Sequence, residues 1–371
     1  MPGAITTTDR IVGLQEELSP GLKYINPNKA PFYLNLIALG KVRPIGSTTA
    51  SWVDYSCEGT ETVITKALTD TTGTSVEVAD PTVFPINSYL RVDEEVMLVQ
   101  SITDKTLTVK RGELGTIAAT HAVNTAAYFI NDNIEEGADL LGASYKPGEN
   151  FTNYTQIIRE EISISGTAQA LTVPSGGGLD PYSLEMTRKM DKVVGKVEKA
   201  IVAGKKFATG KNRGMDGIRT ILDKGQIVDA NNEKVTIEKL ETLLKKAYLV
   251  GGDLQNGYYA LYIPPKQQSN INKEIEKYIV KEQSSSTLGA VVKEVYTSYG
   301  IIPLIMTPNL PDNEILLVNH ENCEIRPLTG RDLFHEYMGK SGDNTKGLIL
   351  GELTLEVRGV HEQGKIVNLG V

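Results

Sequence analysis

The clearest periodic pattern in the chain is that of an amphipathic helix. Apolar side chains recur there at intervals of four, three, four and four residues, and charged residues, many of them lysines, fill the positions between them. Asp180 stands at the N-cap position, Pro181 at the first helical position, and Gly204 ends the pattern. The pattern predicts a helix over residues 180–203, about 35 Å long at roughly 1.5 Å per residue. The stripe that faces the core is Met186, Met190, Val193, Val197 and Ile201.

Between residues 62 and 130 the period changes to two. Short β-branched runs alternate with turn residues, which is typical of a small all-β unit. The segments on either side, Ser51–Glu61 and Phe151–Ser165, also alternate like strands, so we expect one long hairpin with the β unit inserted between its arms. The runs inside the β unit are Thr74–Val78, Glu95–Val99 and Thr106–Val109.

Helical and strand patterns alternate from residue 217 to 321, which predicts a compact α/β unit. Thr236 caps one helix, whose inward side chains are predicted to be Ile237, Leu240, Leu244 and Tyr248. A second helix opens at Pro264-Pro265 and turns Ile271, Ile275 and Ile279 to one face. The predicted strands of this unit and of the chain end are Tyr258–Ile263, Val291–Val295, Ile301–Thr307, Glu314–Val318, Leu353–Val357 and Lys365–Leu369.

The first 50 residues predict an extended arm. Pro27 and Pro31 lie close together, and each proline removes a backbone donor and restricts the residue before it. An arm of this length has no core of its own, so its apolar side chains need another surface to cover them.

Composition narrows the classes of protein. The chain has 371 residues, 40% hydrophobic and 23% charged, which fits two or three globular units. No apolar run is long enough for a membrane helix, and no signal sequence precedes the arm, so we expect a reducing cytoplasm with Cys57 and Cys323 as free thiols. The net charge of −8 disfavours a dedicated nucleic-acid binder. Sixteen tyrosines against one tryptophan favour extensive interfaces.

The motifs that would indicate catalysis are incomplete. Gly339-Lys340-Ser341 matches the end of a phosphate-binding loop, but Phe334 stands where the loop needs its first glycine. A turn at Gly339, Gly342 and Asp343 is the plainer interpretation. The sequence therefore predicts no enzyme and no nucleotide site.

Metal and cofactor sites also lack their patterns. The histidines have no metal-ligand spacing, and the acidic cluster at Asp132, Glu135 and Glu136 has Ile134 where a calcium loop needs an oxygen ligand. The glycines near residues 176–178 and 210–217 do not form a dinucleotide fingerprint. We expect satisfied histidines, a solvated acidic face and no cofactor. The histidines are His121, His320, His335 and His361.

An arm, a long hairpin, a rod-like helix and an α/β unit, in this order, resemble the tailed-phage major capsid protein of the Hong Kong 97 fold, an α+β fold. Five separated strings are similar to the SU-ten-like branch of that family, and together they extend from residue 21 to 371. The strings are GLKYINPNKAPFYLNLIALGK, TASWVDY, TNYTQIIREEISISGTAQAL, SLEMTRKMDKVVGKVEKAIVAGKK and KSGDNTKGLILGELTLEVRGVHEQGKIVNLGV.

The resemblance implies a division of the chain into named parts. The long helix becomes the spine of the P-domain, and the β unit becomes an insertion in the E-loop. The last strand of the chain is assigned to the P-domain, with the A-domain as the alternative. The implied ranges are 1–50 for the N-arm, 51–61 and 131–172 for the E-loop, 62–130 for the inserted module, 173–216 and 322–371 for the P-domain, and 217–321 for the A-domain.

The resemblance also implies partners. Copies of the chain would form hexamers and pentamers of a closed icosahedral virion shell, assembled in the host cytoplasm, that encloses double-stranded DNA without sequence-specific binding. A separate scaffolding protein, a portal and a decoration protein are implied as further partners, and no membrane is. The alternatives are an encapsulin-like compartment, a tail or baseplate protein that binds a receptor through the β module, and an enzyme.

Apolar and aromatic side chains on the arm and hairpin are the predicted assembly contacts. Such surface would be a liability on a permanent monomer. Neighbouring subunits are therefore expected to cover it. The predicted contact residues are Tyr24, Phe32, Tyr33, Trp52, Tyr55, Tyr154, Ile157 and Arg159.

Overall fold

The computed structural model describes residues 29–55, 59–136, 148–170, 180–276 and 293–370. Its helices are α1 (Pro31–Ala38), α2 (Gly166–Ala170), α3 (Pro181–Ala203), α4 (Ile218–Ile221), α5 (Ile237–Leu249) and α6 (Pro265–Glu276). Short 3-10 turns lie at Pro81–Val83, Leu222–Lys224, His320–Asn322 and Val360–Glu362.

The strands follow in chain order. They are β1 (Thr49–Asp54), β2 (Glu61–Val63), β3 (Ser75–Glu77), β4 (Ser88–Val92), β5 (Glu95–Thr103), β6 (Thr106–Lys110), β7 (Ala126–Asp132), β8 (Glu149–Tyr154), β9 (Gln156–Ser165), β10 (Phe207–Thr209), β11 (Asn212–Gly214), β12 (Gln226–Asp229), β13 (Tyr259–Ile263), β14 (Glu294–Thr297), β15 (Gly300–Met306), β16 (Ile315–Asn319), β17 (Cys323–Pro327), β18 (Phe334–Ser341), β19 (Asn344–Val357) and β20 (Gly364–Val367).

The chain forms two compact units, which we call the main unit (residues 1–52 and 151–371) and the small unit (residues 53–150). The main unit contains a mixed six-stranded sheet in the order β12-β20-β16-β13-β15-β14. β12 runs parallel to β20, and β13 runs parallel to β15. Helix α5 contributes Leu240, Leu243 and Leu244 to the core of this sheet.

A second sheet of the main unit is organised around β19. This 14-residue strand pairs antiparallel with β17, β18 and β9. Leu350 is opposite Phe334 of β18 and opposite Arg159 of β9, so these two strands lie along opposite edges of β19. The second half of β19, residues 351–357, is buried throughout, on both faces of the sheet.

The long helix α3 packs on this second sheet, and its caps follow the predicted pattern. The Asp180 side chain accepts a hydrogen bond from the backbone N–H of Ser183, Pro181 begins the helix, and Gly204 is the C-cap. Val193, Val197 and Ile201 are fully buried, and Met186 and Met190 pack partly buried against the same core.

Three predictions of local structure are wrong. Residues 31–38 form helix α1 instead of an extended arm, because Pro31 sits at the first helical position, where a missing N–H costs nothing. β9 pairs with β19, some 180 residues further on, and not with the segment after residue 51; only β1 and β8 pair as the hairpin prediction requires. Tyr248 is 58% exposed, because Leu243 and Ala247 face the core in its place.

The small unit contains an antiparallel six-stranded sheet in the order β2-β7-β4-β5-β6-β3. The three predicted runs match β3, β5 and β6. The sheet has a core of its own, with Leu90, Met97 and Leu107 fully buried. The predicted positions Cys57, Ile279 and 291–292 lie outside the described residues, as do residues 1–28. Among the described residues, no helix has the length and apolarity needed to cross a bilayer.

Candidate assembly surface

Strand β9 separates the interior of the main unit from its surface. Successive side chains of a strand point to opposite faces, and β9 alternates between exposed and buried positions from Ile157 to Ser163. Ile158 and Ile162 are buried beneath α3, whereas Ile157 is 47% exposed and Arg159 and Glu161 are also exposed. The strand therefore combines a packed inner face with an outer face that is open to solvent.

Glu160 breaks the apolar run of the inner face, and three lysines of α3 surround it. Its carboxylate oxygens lie 3.2 Å from the ammonium nitrogen of Lys189, 2.9 Å from that of Lys192 and 2.5 Å from that of Lys196. Burial would raise the pKa of this carboxyl, but the three lysines lower it to about 2. Glu160 therefore remains ionised across physiological pH and ties β9 to the long helix.

The outer face of the sheet continues from β9 across β19 to β18. Arg159 lies opposite Leu350, which lies opposite Phe334, and the next row pairs Glu161 with Leu348. Phe334 is 36% exposed. This face mixes apolar and charged side chains, as protein interfaces do.

The structure buries three predicted contact residues inside the subunit. Phe32 and Tyr33 of α1 pack against the core formed with α3, and Phe32 also meets the ring of Tyr262 edge to face at 5.2 Å. The Trp52 ring stacks on Phe151 with 5.9 Å between ring centroids. These side chains stabilise the main unit itself, so they are not available as surface in this conformation.

The other predicted contact residues have different surroundings. Tyr154 is half-buried, with the Lys206 ammonium 4.8 Å from its ring centroid. Tyr55 belongs to the small unit and is 73% exposed. Tyr24 lies outside the described residues. The structure therefore brings Ile157 and Arg159 together on one open face, and the remaining predicted contacts do not join them.

Sequence reasoning missed Glu198, which is fully buried on α3. Its carboxylate accepts hydrogen bonds from the backbone N–H groups of Phe32 and Tyr33. Burial raises the pKa of this carboxyl to about 7, although both hydrogen bonds act in the opposite direction. The only sequence signal for its burial was that it directly follows Val197, a residue of the apolar stripe.

The small unit contains a buried polar cluster that the sequence pattern did not reveal. Arg111 pairs with Glu95 through two hydrogen bonds of 2.6 and 2.7 Å, and the ring nitrogens of His121 lie 3.0 Å from Glu95 and 2.8 Å from Asp93. Burial favours a raised pKa for Glu95, but its hydrogen bonds with Arg111, Ala119 and His121 lower it to about 2. The cluster fixes the loop between β6 and β7.

The other residues that the sequence analysis considered for catalysis or metal binding have structural roles. Gly339 lies at an irregularity in β18, next to the turn that leads into β19. The His320 ring bonds to the Tyr262 hydroxyl, and the His335 ring bonds to the Tyr182 hydroxyl. Cys323 is a buried free thiol, and burial raises its pKa. Within the described ranges, no group of three or more His, Cys, Asp or Glu side chains is arranged so that it could hold a metal ion.

Comparisons with known proteins identify the fold. A profile of the SU10 major capsid protein family matches residues 4–370. A search of curated protein sequences found no match.

Three solved capsids have a similar structure. The capsid asymmetric unit of cyanophage A-1(L) is 12% identical, with 96% of this chain and 98% of that chain covered and a TM-score of 0.54. The capsid of an empty GTA particle computed with C5 symmetry is 10% identical over 96% of this chain and 94% of that chain, with a TM-score of 0.53. The capsid of Myoviridae phage XM1 is 11% identical over 100% of both chains, with a TM-score of 0.52. The predicted Hong Kong 97-type capsid fold is thereby confirmed.

Proposed function

Because the chain belongs to the SU10 major capsid protein family, it is a major capsid protein, and we propose that its copies form the hexamers and pentamers of a closed icosahedral shell around double-stranded DNA. The family match over residues 4–370 is the observation that carries this proposal. The shell is the head of a tailed phage, and the subunit is a structural component of the virion. The DNA is enclosed without sequence-specific contacts, and assembly takes place in the host cytoplasm.

The charge of the chain is compatible with an enclosing wall. Lys and Arg number 38 against 46 Asp and Glu, so the subunit as a whole does not attract phosphates. A wall of this sign lets a packaged polyanion move without being trapped. A separate scaffolding protein, a portal and a decoration protein are further proposed partners.

The proposed division of labour assigns α3 to the P-domain as its spine and residues 217–321 to the A-domain. The buried stripe of α3 and the two sheets give the subunit a stable body. The N-arm, the E-loop and the inserted module of residues 62–130 are proposed to make contacts between subunits. The open face of β9, with Ile157 and Arg159, is the described surface best suited to such contacts.

Purified full-length protein tests the proposal directly. We expect sedimentation velocity to show capsomers and larger particles, and negative-stain electron microscopy to show closed shells of uniform diameter. Fibres or tubes would favour a tail structure. A protein that remains monomeric over a wide range of concentration, salt and pH, with and without co-expressed scaffolding protein, would contradict the proposal.

A further inference from the structure

A groove of about 490 Å³ lies between β9 and the lysine-bearing side of α3. Among the described strands, β9 pairs only with β19, so the groove follows the other edge of β9. At this edge the Lys196 ammonium donates a hydrogen bond to the backbone carbonyl of Arg159. An open strand edge can accept a further extended segment. The groove is lined by Gln156, Ile157, Ile158, Arg159, Lys196, Lys199 and Ala200.

The groove is positively charged, although the protein as a whole is acidic. Three lysines reach Glu160, which neutralises only one of them. Arg159 and Lys199 add two further cations to the lining. Lys192, Lys196 and Lys199 are all exposed. A ligand of this groove therefore needs negative charge, and Ile157, which borders the groove from the outer side of the β9 edge and is 47% exposed, favours an apolar group beside that charge.

One described segment of the chain has this composition. Residues 132–136 begin at the last residue of β7 and are all exposed, and they carry three carboxylates, on Asp132, Glu135 and Glu136. Ile134 stands between them and is 64% exposed. An isoleucine flanked by carboxylates is the counterpart of a groove that combines Ile157 with basic side chains.

The spacing of the charges also agrees. In an extended segment, Asp132, Ile134 and Glu136 point to the same side, with about 13 Å between the two carboxylate positions at roughly 3.3 Å per residue. Along α3, Lys199 lines the groove, and Lys192, which is exposed but is not part of the lining, lies about 10 Å away at roughly 1.5 Å per residue. Flexible lysine side chains span the difference of about 3 Å. Both carboxylates can therefore meet ammonium groups while Ile134 lies between them.

We propose that the acidic segment Asp132–Glu136 of a second copy of this chain lies in the basic groove between β9 and α3. This inference rests on the proposed function, since it requires that copies assemble. It goes beyond that function because it names the site on one copy and the segment of the other copy that binds there. A phosphate backbone would also match the charge, but it would leave the strand edge and Ile157 without partners.

Reversing charges on both sides tests the pairing. Lys199→Glu changes the groove without touching Glu160, Glu136→Lys changes the segment, and the combined variant restores opposite signs. Lys245→Glu, on the exposed side of α5, is the matched control. We expect each single variant of the pair to melt like the wild type by circular dichroism and to form few closed shells. The combined variant should recover shells, and the control should assemble normally.

A peptide separates the groove from shell formation. A labelled peptide of residues 128–138 is titrated with unassembled full-length protein at low salt and followed by fluorescence anisotropy. We expect binding that weakens about tenfold for Lys199→Glu, as for loss of a close charge pair, and that weakens with added salt. A peptide with lysine at positions 132, 135 and 136 should bind no better than background. A short DNA duplex is the second probe, and we expect no binding.

The outcomes are distinct. Equal peptide binding by the wild type and Lys199→Glu, absence of peptide binding, or failure of the combined variant to recover shells would overturn the inference. DNA binding without peptide binding would overturn it in favour of a nucleic-acid site. If the wild type forms no shells yet binds the peptide in the predicted way, the proposed function fails and the groove assignment stands.

Discussion

The Glu198 carboxylate of α3 accepts a 2.7 Å hydrogen bond from the backbone N–H of Tyr33, 165 residues earlier in the chain. Its second oxygen accepts a hydrogen bond of 3.1 Å from the N–H of Phe32. Donors in the first turn of a helix have no partner within the helix, and Ala30 at the N-cap of α1 supplies no side-chain acceptor. A side chain of the long helix therefore caps the short one.

This capping carboxylate makes stability depend on pH. Its pKa in the folded protein is about 7, above the ordinary value of 4.5, so the folded state keeps a proton that the unfolded state loses between these values. Stability from this group is complete below pH 4.5 and falls by about 3 kcal/mol as the pH rises past 7. Urea unfolding of the wild type and Glu198→Gln from pH 5 to pH 8 measures the difference between their slopes.

The comparison with Glu198→Gln isolates this group. Burial lowers the pKa of the nearby His320, whose contribution to stability is lost as the pH falls, and this contribution is common to both proteins. Glu185→Gln, a more exposed position on the same helix, is the control and should keep the slope of the wild type. Parallel slopes for the wild type and Glu198→Gln would show that Glu198 does not titrate in this range.

The same substitution at two adjacent residues of β9 should affect stability at one and shell formation at the other. Ile158 is 5% exposed and packs in the core, so Ile158→Asp buries an unpaired charge and should destabilise the subunit by about 3 kcal/mol or more. Ile157 is 47% exposed, so Ile157→Asp should leave the melting temperature nearly unchanged while reducing shell formation. Thermal melts followed by circular dichroism measure the change in stability, and electron microscopy measures shell formation. Normal shells from Ile157→Asp would remove this face from the assembly surface.

The buried ion pair of the small unit predicts a large loss of stability. Arg111→Ala leaves the carboxylate of Glu95 buried without its main partner, which costs about 3–5 kcal/mol. Lys66→Ala removes the exposed pair with Glu77 and should cost less than about 1 kcal/mol. Amide spectra of the full chain should show broadening of β5 and β6 in the first variant only. Equal effects of the two variants would contradict a structural role for the cluster.

Two truncations separate the arm from the core. Removing residues 1–28 keeps α1, so we expect a folded subunit that closes few shells. Removing residues 1–45 also removes Phe32 and Leu36 from the core and should lower the melting temperature markedly. Thermal unfolding and negative-stain imaging of both proteins test this order. If the protein without residues 1–28 formed normal shells, these residues would not be needed to hold neighbouring subunits together.

The sequence predicted elements whose signals are local. The cap, the first-turn proline and the apolar stripe of α3 all lie in or next to the helix itself. The helix begins and ends at the residues that these signals indicate. The error at residues 31–38 has the opposite cause, since Pro31 fits both an extended segment and the first position of a helix. Contact with α3, which supplies Glu198, decides between them.

Long-range pairing was beyond the reach of these signals. Alternation predicted β9 as a strand, but the same alternation fits any partner, and its true partner β19 lies far along the chain. For the same reason, nothing near Glu160 indicated that three lysines of α3 would surround it. The basic groove depends on that pairing, so periodicity alone did not predict it.

The arrangement of β19 and β20 sets an order on synthesis. β19 holds β9, β17 and β18 together, and β20 lies between β12 and β16, so residues 344–367 complete both sheets of the main unit. A ribosome must translate these residues before either sheet can close. Chains interrupted earlier in translation lack both central strands and leave the core of the main unit open. We therefore expect only copies translated through this region to enter a shell.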